Sequence, residues 1–157
     1  MRLNRTLLLL TKIDNGQFPE LSDIDIAALV RGELEIYTDL YSHRSITASA
    51  TIPDSCIVRM NDSLANTLIT NLLKNAFVHS TEGAQVTVTL TADSFVVANN
   101  GDEPLDETQI FERFYHSGKS GSTGLGLPLV NSICRYYGFE KSYTYKDGQH
   151  LFTVRFK

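Results

Sequence analysis

The chain lacks the features that would place it in a membrane, in the secretory pathway or on a nucleic acid. Its longest apolar run, Leu7–Leu10, lies between Arg5 and Lys12 and is far shorter than the roughly 20 residues that cross a bilayer. No secretory signal is visible. A net charge of -4 argues against a nucleic-acid-binding surface, which is usually basic. The sequence therefore predicts a soluble domain with no membrane contact and no nucleic-acid partner.

Cysteine is scarce as well. The chain has only Cys56 and Cys134, and each stands among apolar residues. Lone cysteines in such settings are usually buried thiols, so we expect neither a disulfide nor a metal site. Free thiols fit a reducing compartment, and the predicted localisation is cytoplasmic.

A length of 157 residues suits one domain with a substantial core. Apolar residues at helical spacing end at Gly16, so residues 1–16 are predicted to be the end of a helix from a preceding domain plus a linker. Residues 17–157 are predicted to form the main domain. Its expected helices are residues 27–41, 61–79 and 124–137, and its expected strands are residues 22–26, 45–51, 56–60, 85–91 and 95–98, with a hairpin over 143–156 that turns at Asp147-Gly148.

Several of these elements carry a more specific prediction. The first helix should place Ile36 and Leu40 on its apolar face, and the second should begin at an N-cap, either Asn61 or Asp62, and bury the leucines and isoleucine that recur at helical spacing. Residues 85–91 alternate strictly, which predicts a half-exposed strand, and residues 95–98 are apolar on both faces, which predicts a central strand.

The segment between Gly101 and Gly126 is the least core-like part of the chain. It holds five of the ten glycines and few apolar residues. This composition predicts a mobile segment rather than a packed element. Phe111 and Phe114 are expected to pack one end of the segment onto the core.

A polar stripe runs along the predicted helix at residues 61–79. Asn71 and Asn75 are four residues apart and share one face, which Thr67 and His79 extend. A carboxamide oxygen can complete the coordination of Mg²⁺, which keeps several waters and phosphate oxygens as ligands. A solvated helix edge explains the stripe equally well.

Asn99 ends the predicted central strand and, by alternation, lies on the side of Phe95 and Val97. An amide there can read an adenine edge through one donor and one acceptor. Taken alone, Asn99-Asn100-Gly101 is more simply interpreted as a turn.

Two further features favour phosphate binding. Gly124-Leu125-Gly126-Leu127 places two glycines at a helix start, where each costs about 1 kcal/mol relative to alanine and where free backbone amides attract anions. Arg113, His116 and Lys119 could meet phosphate oxygens when the glycine-rich segment closes. A solvated basic cluster is the simpler interpretation of His116 and Lys119 individually.

The order of these parts resembles the catalytic, ATP-binding domain of sensor histidine kinases, within the wider ATPase superfamily that includes gyrase, heat-shock chaperones and mismatch-repair proteins. The resemblance covers residue 18 to the end and rests on four motifs in order. They resemble the N box, the first glycine box, the phenylalanine box and the second glycine box, at residues 71–76, 99–101, 110–115 and 124–127.

The resemblance implies a two-layer α/β sandwich (the GHKL ATPase fold), with a mixed, mostly antiparallel sheet and about three helices on one face. It implies that the domain binds Mg²⁺ and ATP and donates the γ-phosphoryl group to a histidine on a separate dimerisation and phosphoacceptor domain. A response regulator would be an indirect partner. Residues 102–123 would form a lid over ATP. The nucleotide-binding residues would be Asn71, Asn75, His79, Asn99, Gly101, Arg113, Phe114, Gly124, Leu125, Gly126 and Leu127, with Asn71, Asn75 and Lys119 catalytic and Asn71 and Asn75 also serving the metal.

The chain departs from the family pattern in several places. Asn99 stands where an aspartate usually accepts a hydrogen bond from the adenine amino group, and Glu103 stands where a second glycine is usual. No cation stands near Val78. No histidine is followed by both an acidic residue and, five positions on, a proline, so the acceptor histidine is expected on another part of a larger, membrane-bound kinase.

Two alternatives to a histidine kinase stay open. One is a degenerate nucleotide-binding or interaction module without kinase activity, which Asn99 and Glu103 favour. The other is a serine kinase of the anti-sigma-factor type. The predicted helix near the N-terminus argues against the second alternative, because it resembles the end of a neighbouring domain.

Overall fold

The computed structural model describes residues 2–111 and 126–156. Four helices and seven strands lie within these ranges. They are α1 (Arg2–Asp14), β1 (Ser22–Asp25), α2 (Ile26–Leu40), β2 (Thr47–Thr51), β3 (Ile57–Met60), α3 (Asp62–Val78), β4 (Gln85–Leu90), β5 (Ser94–Asn100), α4 (Gly126–Tyr137), β6 (Glu140–Lys146) and β7 (Gln149–Arg155), with a 3₁₀ turn at Ser42–Arg44.

Five strands form the main sheet in the order β2-β4-β5-β7-β6. The β2–β4 pair is parallel and the other three pairs are antiparallel, so the sheet is mixed and mostly antiparallel, as predicted. β5 lies at its centre, which confirms the interpretation of the continuous apolar run at residues 95–98. On β4, alternate residues are buried, as the strict alternation of that segment predicted.

The helices supply the second layer. α2 packs against β2, α3 against β5 and α4 against β6, while α3 lies between α2 and α4. The apolar face of α3 is buried as predicted, because its leucines and isoleucine recur at helical spacing. The prediction is wrong for Ile36 and Leu40 of α2, which are 57% and 59% exposed. Val30 and Leu34 carry the buried face of α2 instead.

β1 and β3 form a separate two-stranded antiparallel ribbon, which the sequence did not predict as a pair. Ser22 lies opposite Met60 and Asp25 lies opposite Ile57. The Oδ1 atom of Asp25 accepts hydrogen bonds from Ala27 N at 3.1 Å and from Cys56 N at 3.0 Å. Asp25 therefore caps α2 and ties the start of this helix to the residue before β3.

α1 packs against α4. Leu10 and Ile13 are buried, at 0% and 2% exposure, and belong to the same apolar core as the sheet and the other helices. Gly16 ends the helix in the left-handed region at φ 67°. The domain boundary at residue 16 stays a prediction, but the described end of α1 is in close contact with the rest of the fold.

α3 and α4 are joined by a tyrosine hydroxyl. Asn61, one of the two residues predicted for this position, is the N-cap of α3, since its Oδ1 accepts from Leu64 N at 3.2 Å. The backbone N of Asn61 donates to the hydroxyl of Tyr137, the last residue of α4, at 2.8 Å. Gly138 then ends α4 at φ 73°. The start of α3 is thus fixed to the end of α4.

The remaining local predictions agree closely with the structure. Asp147 and Gly148 have φ of 53° and 74° and form the turn of the β6–β7 hairpin, although β6 begins at Glu140, three residues before the predicted start. Cys56 and Cys134 are buried and form no disulfide, and burial raises the pKa of Cys134 to about 12. Within the two described ranges, no helix has the length and apolarity to cross a membrane.

Candidate functional site

The polar stripe of α3 lies beside the start of α4. Thr67, Asn71, Asn75 and His79 are all half-buried, so the stripe is not a fully solvated edge. The Nδ2 atom of Asn71 donates to Thr67 O at 2.7 Å, one turn earlier on the same helix. This hydrogen bond fixes the carboxamide and leaves its Oδ1 directed at α4.

Gly126 is the residue that Asn71 faces. A Cβ placed on Gly126 would lie 3.1 Å from Asn71 Oδ1, which is closer than ordinary van der Waals contact. Glycine at this position therefore lets the carboxamide of α3 approach the first residue of α4. A helix start carries unpaired backbone N–H groups and a partial positive charge, both of which attract anions. The structure thus brings together two sites that the sequence predicted separately.

Asn75 and His79 complete the stripe at the end of α3. The backbone O of Asn75 accepts from His79 N at 3.2 Å, so His79 is the C-cap of the helix. The side chain of Asn75 is half-buried one turn beyond Asn71, on the same face. Two carboxamides therefore lie one turn apart on the same side of α3, and the first of them faces Gly126.

Asn99 is buried, with 2% of its surface exposed, at the end of β5. The turn interpretation is wrong for Asn99 and Asn100, because both belong to β5 and pair with His150 and Gln149 of β7. Phe95, Val97 and Asn99 alternate along one face and are all buried, as predicted. The Nδ2 atom of Asn99 donates to Asn100 O at 3.3 Å, which leaves Oδ1 as the group that can accept from a ligand.

Gly101 follows β5 and is held by the β6–β7 hairpin. Its N donates to Gly148 O at 2.9 Å, and its O accepts from the Tyr145 hydroxyl at 2.8 Å. The sequence did not predict Tyr143, Tyr145 or His150 near the site. Their alternation along β6 and β7 places them on one face, but only the strand register shows that this face meets Gly101.

Several predicted site residues lie outside the described ranges, namely Arg113, Phe114, His116, Lys119, Gly124 and Leu125.

The described end of the glycine-rich segment packs onto the sheet. Ile110 is 2% exposed, and the Phe111 ring meets Phe152 edge-on at 6.4 Å between centroids. Lys141 Nζ lies 5.1 Å from the Phe111 ring centre. Phe111 therefore packs the segment onto the core, as predicted, whereas Phe114, the other residue predicted to do so, lies outside the described ranges.

The described part of the site is rich in amides rather than acids. No group of three or more His, Cys, Asp or Glu residues in residues 2–111 and 126–156 is arranged to hold a metal ion. A cation bound beside α3 would therefore be coordinated there by neutral carboxamide oxygens, together with oxygens from a ligand or from water.

A family model described as "Histidine kinase-, DNA gyrase B-, and HSP90-like ATPase" matches residues 60–157. The chain belongs to this ATPase family. The match includes α3, β5 and α4, which carry Asn71, Asn99 and Gly126. The ATPase domain therefore contains the whole amide-lined site, and the site lies in an ATP-binding domain of the kind found in histidine kinases.

Relatives of this ATPase domain are sensor kinases. The sensor protein QseC of Escherichia coli is 32% identical over 143 residues, which cover 87% of this chain and 32% of QseC. The mycobacterial sensor histidine kinase MprB has the same fold, with a TM-score of 0.75 at 21% identity, covering 85% of this chain and 96% of that one. The solved cytoplasmic segment of QseC gives a TM-score of 0.70 at 22% identity, covering 99% and 91%. The chain spans about a third of the length of the curated relatives it matches.

Proposed function

We propose that this chain is the catalytic domain of a sensor histidine kinase, binding Mg²⁺ and ATP and donating the γ-phosphoryl group to a histidine on another domain. The position of Asn71 Oδ1, which faces Gly126 and would crowd a Cβ there, carries the proposal. It joins a carboxamide that can serve a metal or a phosphate to a helix start that attracts anions. The sensor-kinase relatives support the choice of a histidine as acceptor.

The residues present fit a nucleotide. At one end, a side chain on Gly126 would crowd Asn71 Oδ1, and glycine there suits a backbone that must approach phosphate closely. At the other end, Asn99 is a buried polar side chain on β5, against which α3 packs. Asn71 and Asn75 would hold Mg²⁺, Asn99 would accept from the adenine amino group, and Gly126 and Leu127 would present amides to phosphate.

ATP supplies the phosphoryl group, so positioning and neutralisation of charge are the main tasks left to the chain. Asn71 is held rigidly by its hydrogen bond to Thr67 O, so its Oδ1 keeps its orientation without reorganisation. The partial positive charge at the start of α4 opposes the negative charge of phosphate. Lys119 and Arg113 are proposed to add cations from the lid.

The rest of the assignment follows the same proposal. The acceptor histidine would belong to the dimerisation and phosphoacceptor domain of the same kinase, which would pass the phosphoryl group to a response regulator. The solved QseC relative is a cytoplasmic segment, so we propose a cytoplasmic location for this domain too.

A degenerate nucleotide-binding module is the second candidate. Asn99 favours it, since a neutral amide accepts a weaker hydrogen bond than a carboxylate does. Glu103 favours it too, in place of a glycine. The two candidates differ in one measurable property, which is whether Mg²⁺-ATP binds at millimolar nucleotide.

Calorimetric titration of the chain with ATP, with and without Mg²⁺, tests the proposal. We expect binding that needs Mg²⁺ and that Asn75→Ala abolishes with little loss of stability. Asn66→Ala is the matched control, because Asn66 lies on the exposed side of α3 and bonds only to the Thr70 hydroxyl in the described contacts. Lack of binding by the wild-type chain would eliminate the kinase, and unfolding of Asn75→Ala with affinity intact would make Asn75 structural.

Phosphoryl transfer is tested by adding labelled ATP and the phosphoacceptor domain of the longer protein. Acid-labile label on a histidine of that domain is expected. Acid-stable label on a serine of another partner, with none on histidine, would instead favour a serine kinase.

A further inference from the structure

We propose that His150 is a positioning residue for the nucleotide site: its ring sets the path of the backbone at Gly101 and thereby fixes Asn99 and the first residues of the lid segment. The inference rests on the proposed function, since it assigns His150 to the support of the same site. Its basis is a close contact between β7 and the end of β5.

The ring of His150 occupies the place that a side chain at residue 101 would need. A Cβ built on Gly101 would lie 2.0 Å from Nε2, 2.5 Å from Cδ2 and 3.1 Å from Cε1 of His150. Gly101 does not adopt a positive φ, unlike Gly148 in the neighbouring turn. Glycine is therefore required here by the imidazole ring and not by the backbone conformation.

His150 is held firmly enough to act as a fixed surface. It is 7% exposed, and its Nδ1 lies 2.7 Å from the hydroxyl of Tyr143. The rings of Tyr143 and Tyr145 lie 5.8 Å and 5.2 Å from the His150 ring, between centroids. A ring with neighbours on β6 and a hydrogen bond at one nitrogen has little freedom to move away from Gly101.

The same cluster holds the chain that leaves β5. The hydroxyl of Tyr145 donates to Gly101 O at 2.8 Å, and Leu105 N donates to the hydroxyl of Tyr143 at 2.9 Å. Residues 101–105 are thus bonded at both ends to β6. This segment leads from Asn99 towards the predicted lid, so its direction is set by two tyrosine hydroxyls and one imidazole.

His150 also lies directly opposite Asn99 in the β5–β7 register. Paired residues of antiparallel strands point to the same face of a sheet, so both side chains lie on the buried face. His150 therefore touches the site at two places, beside Asn99 and against Gly101. A shift of the ring would move the backbone on which Asn99 depends.

A double-mutant cycle tests this contact through nucleotide affinity. Gly101→Ala should weaken ATP binding roughly tenfold or more, because the new methyl group must displace the ring. His150→Ala removes the obstacle, so the double variant should bind ATP within about threefold of His150→Ala alone. A merely structural contact would change the melting temperature in the same cycle but leave the ATP dissociation constant of each folded variant at the wild-type value.

A second comparison keeps the test informative if Gly101→Ala fails to fold. Tyr145→Phe removes only the hydroxyl that donates to Gly101 O, and we expect ATP affinity to fall about fivefold, the effect of one hydrogen bond. Tyr136→Phe is the matched control, since its hydroxyl also donates to a backbone oxygen, that of Phe18 at 3.4 Å, and its affinity should not change.

The outcomes separate this inference from the proposed function. A wild-type chain that binds no ATP overturns both. A wild-type chain that binds ATP, with Tyr145→Phe and Gly101→Ala binding equally well, overturns only the role of His150. Loss of affinity in Tyr145→Phe but not in Tyr136→Phe supports the dependence of the site on the backbone at Gly101, and rescue of Gly101→Ala by His150→Ala supports the role of His150 in setting that backbone.

Discussion

Asn99→Asp should have opposite effects on the free domain and on its complex with ATP. In the free domain the residue is 2% exposed, and its Nδ2 donates to Asn100 O at 3.3 Å. Aspartate has no donor, so the substitution sets a carboxylate beside a carbonyl oxygen in a buried place. Such a change leaves a buried polar group unsatisfied and should lower the free energy of unfolding by about 1–3 kcal/mol.

The affinity for ATP should rise in the same variant. A neutral hydrogen bond contributes about 1 kcal/mol net, whereas one to a charged group contributes about 1.5–3 kcal/mol. Replacing the amide acceptor by a carboxylate at the adenine amino group should therefore add about 1 kcal/mol. That corresponds to roughly fivefold tighter binding of ATP.

Asn100→Asp is the matched control for this experiment. Asn100 is the next residue on the same strand, is half-buried and points to the other face, where its Oδ1 accepts from Gln85 N at 3.1 Å. Aspartate keeps that acceptor and adds the same charge. Calorimetry should show tighter ATP binding for Asn99→Asp only. Equal affinity of Asn99→Asp and wild type, or an equal gain in Asn100→Asp, would refute the assignment of Asn99 to adenine.

Two further predictions concern the stability of the domain. Burial raises the pKa of Cys134 from 9.0 to about 12, so the free energy of unfolding is unaffected below pH 9 and falls above it, because the unfolded chain loses the thiol proton first. Between pH 8 and pH 10, chemical denaturation should show that the free energy of unfolding falls by about 1.4 kcal/mol less in Cys134→Ala than in the wild-type chain. An equal fall in both proteins would contradict the assignment. Leu10→Ala should lower the free energy of unfolding by about 2–5 kcal/mol, because Leu10 is fully buried. Leu8→Ala is the control and should cost less than about 0.5 kcal/mol, because Leu8 is 61% exposed. Equal effects of the two substitutions in thermal unfolding would show that α1 does not pack as described.

Local patterns predicted much of the fold. The apolar run at residues 95–98 identified the central strand, and β5 does have a neighbouring strand on each edge, β4 and β7. Asn61 identified the start of α3, and Asp147-Gly148 identified the hairpin turn, because each of these depends on the backbone geometry of a few consecutive residues.

Pairings between distant segments were not predictable in the same way. β1 is a four-residue strand whose alternation predicts the strand but not its partner, so nothing local indicates that it pairs with β3. Ile36 looks like a core residue by type, but its position on α2 turns it away from the sheet. Burial depends on which face a neighbour covers, and that neighbour is far away in sequence.

The same limit applies to the site. Asn71 and Asn75 were predicted as one polar stripe and Gly126 as part of a separate motif, and the structure adds that Asn71 Oδ1 faces Gly126. The dependence of Gly101 on His150 joins residues 49 positions apart and has no local sign. The roles of these residues in binding nucleotide stay predictions until the variants are measured.

The two contacts between α3 and α4 restrict how the length of these helices can vary. Asn61 meets Tyr137 at one end and Asn71 meets Gly126 at the other, so the helices run antiparallel over ten and eleven residues. Both stretches span roughly 15–17 Å at 1.5 Å per residue. Inserting or deleting one residue between Asn61 and Asn71 would turn Asn71 by about 100° around the helix axis, away from Gly126. Related chains can therefore exchange side chains along these helices far more readily than they can gain or lose a residue in either.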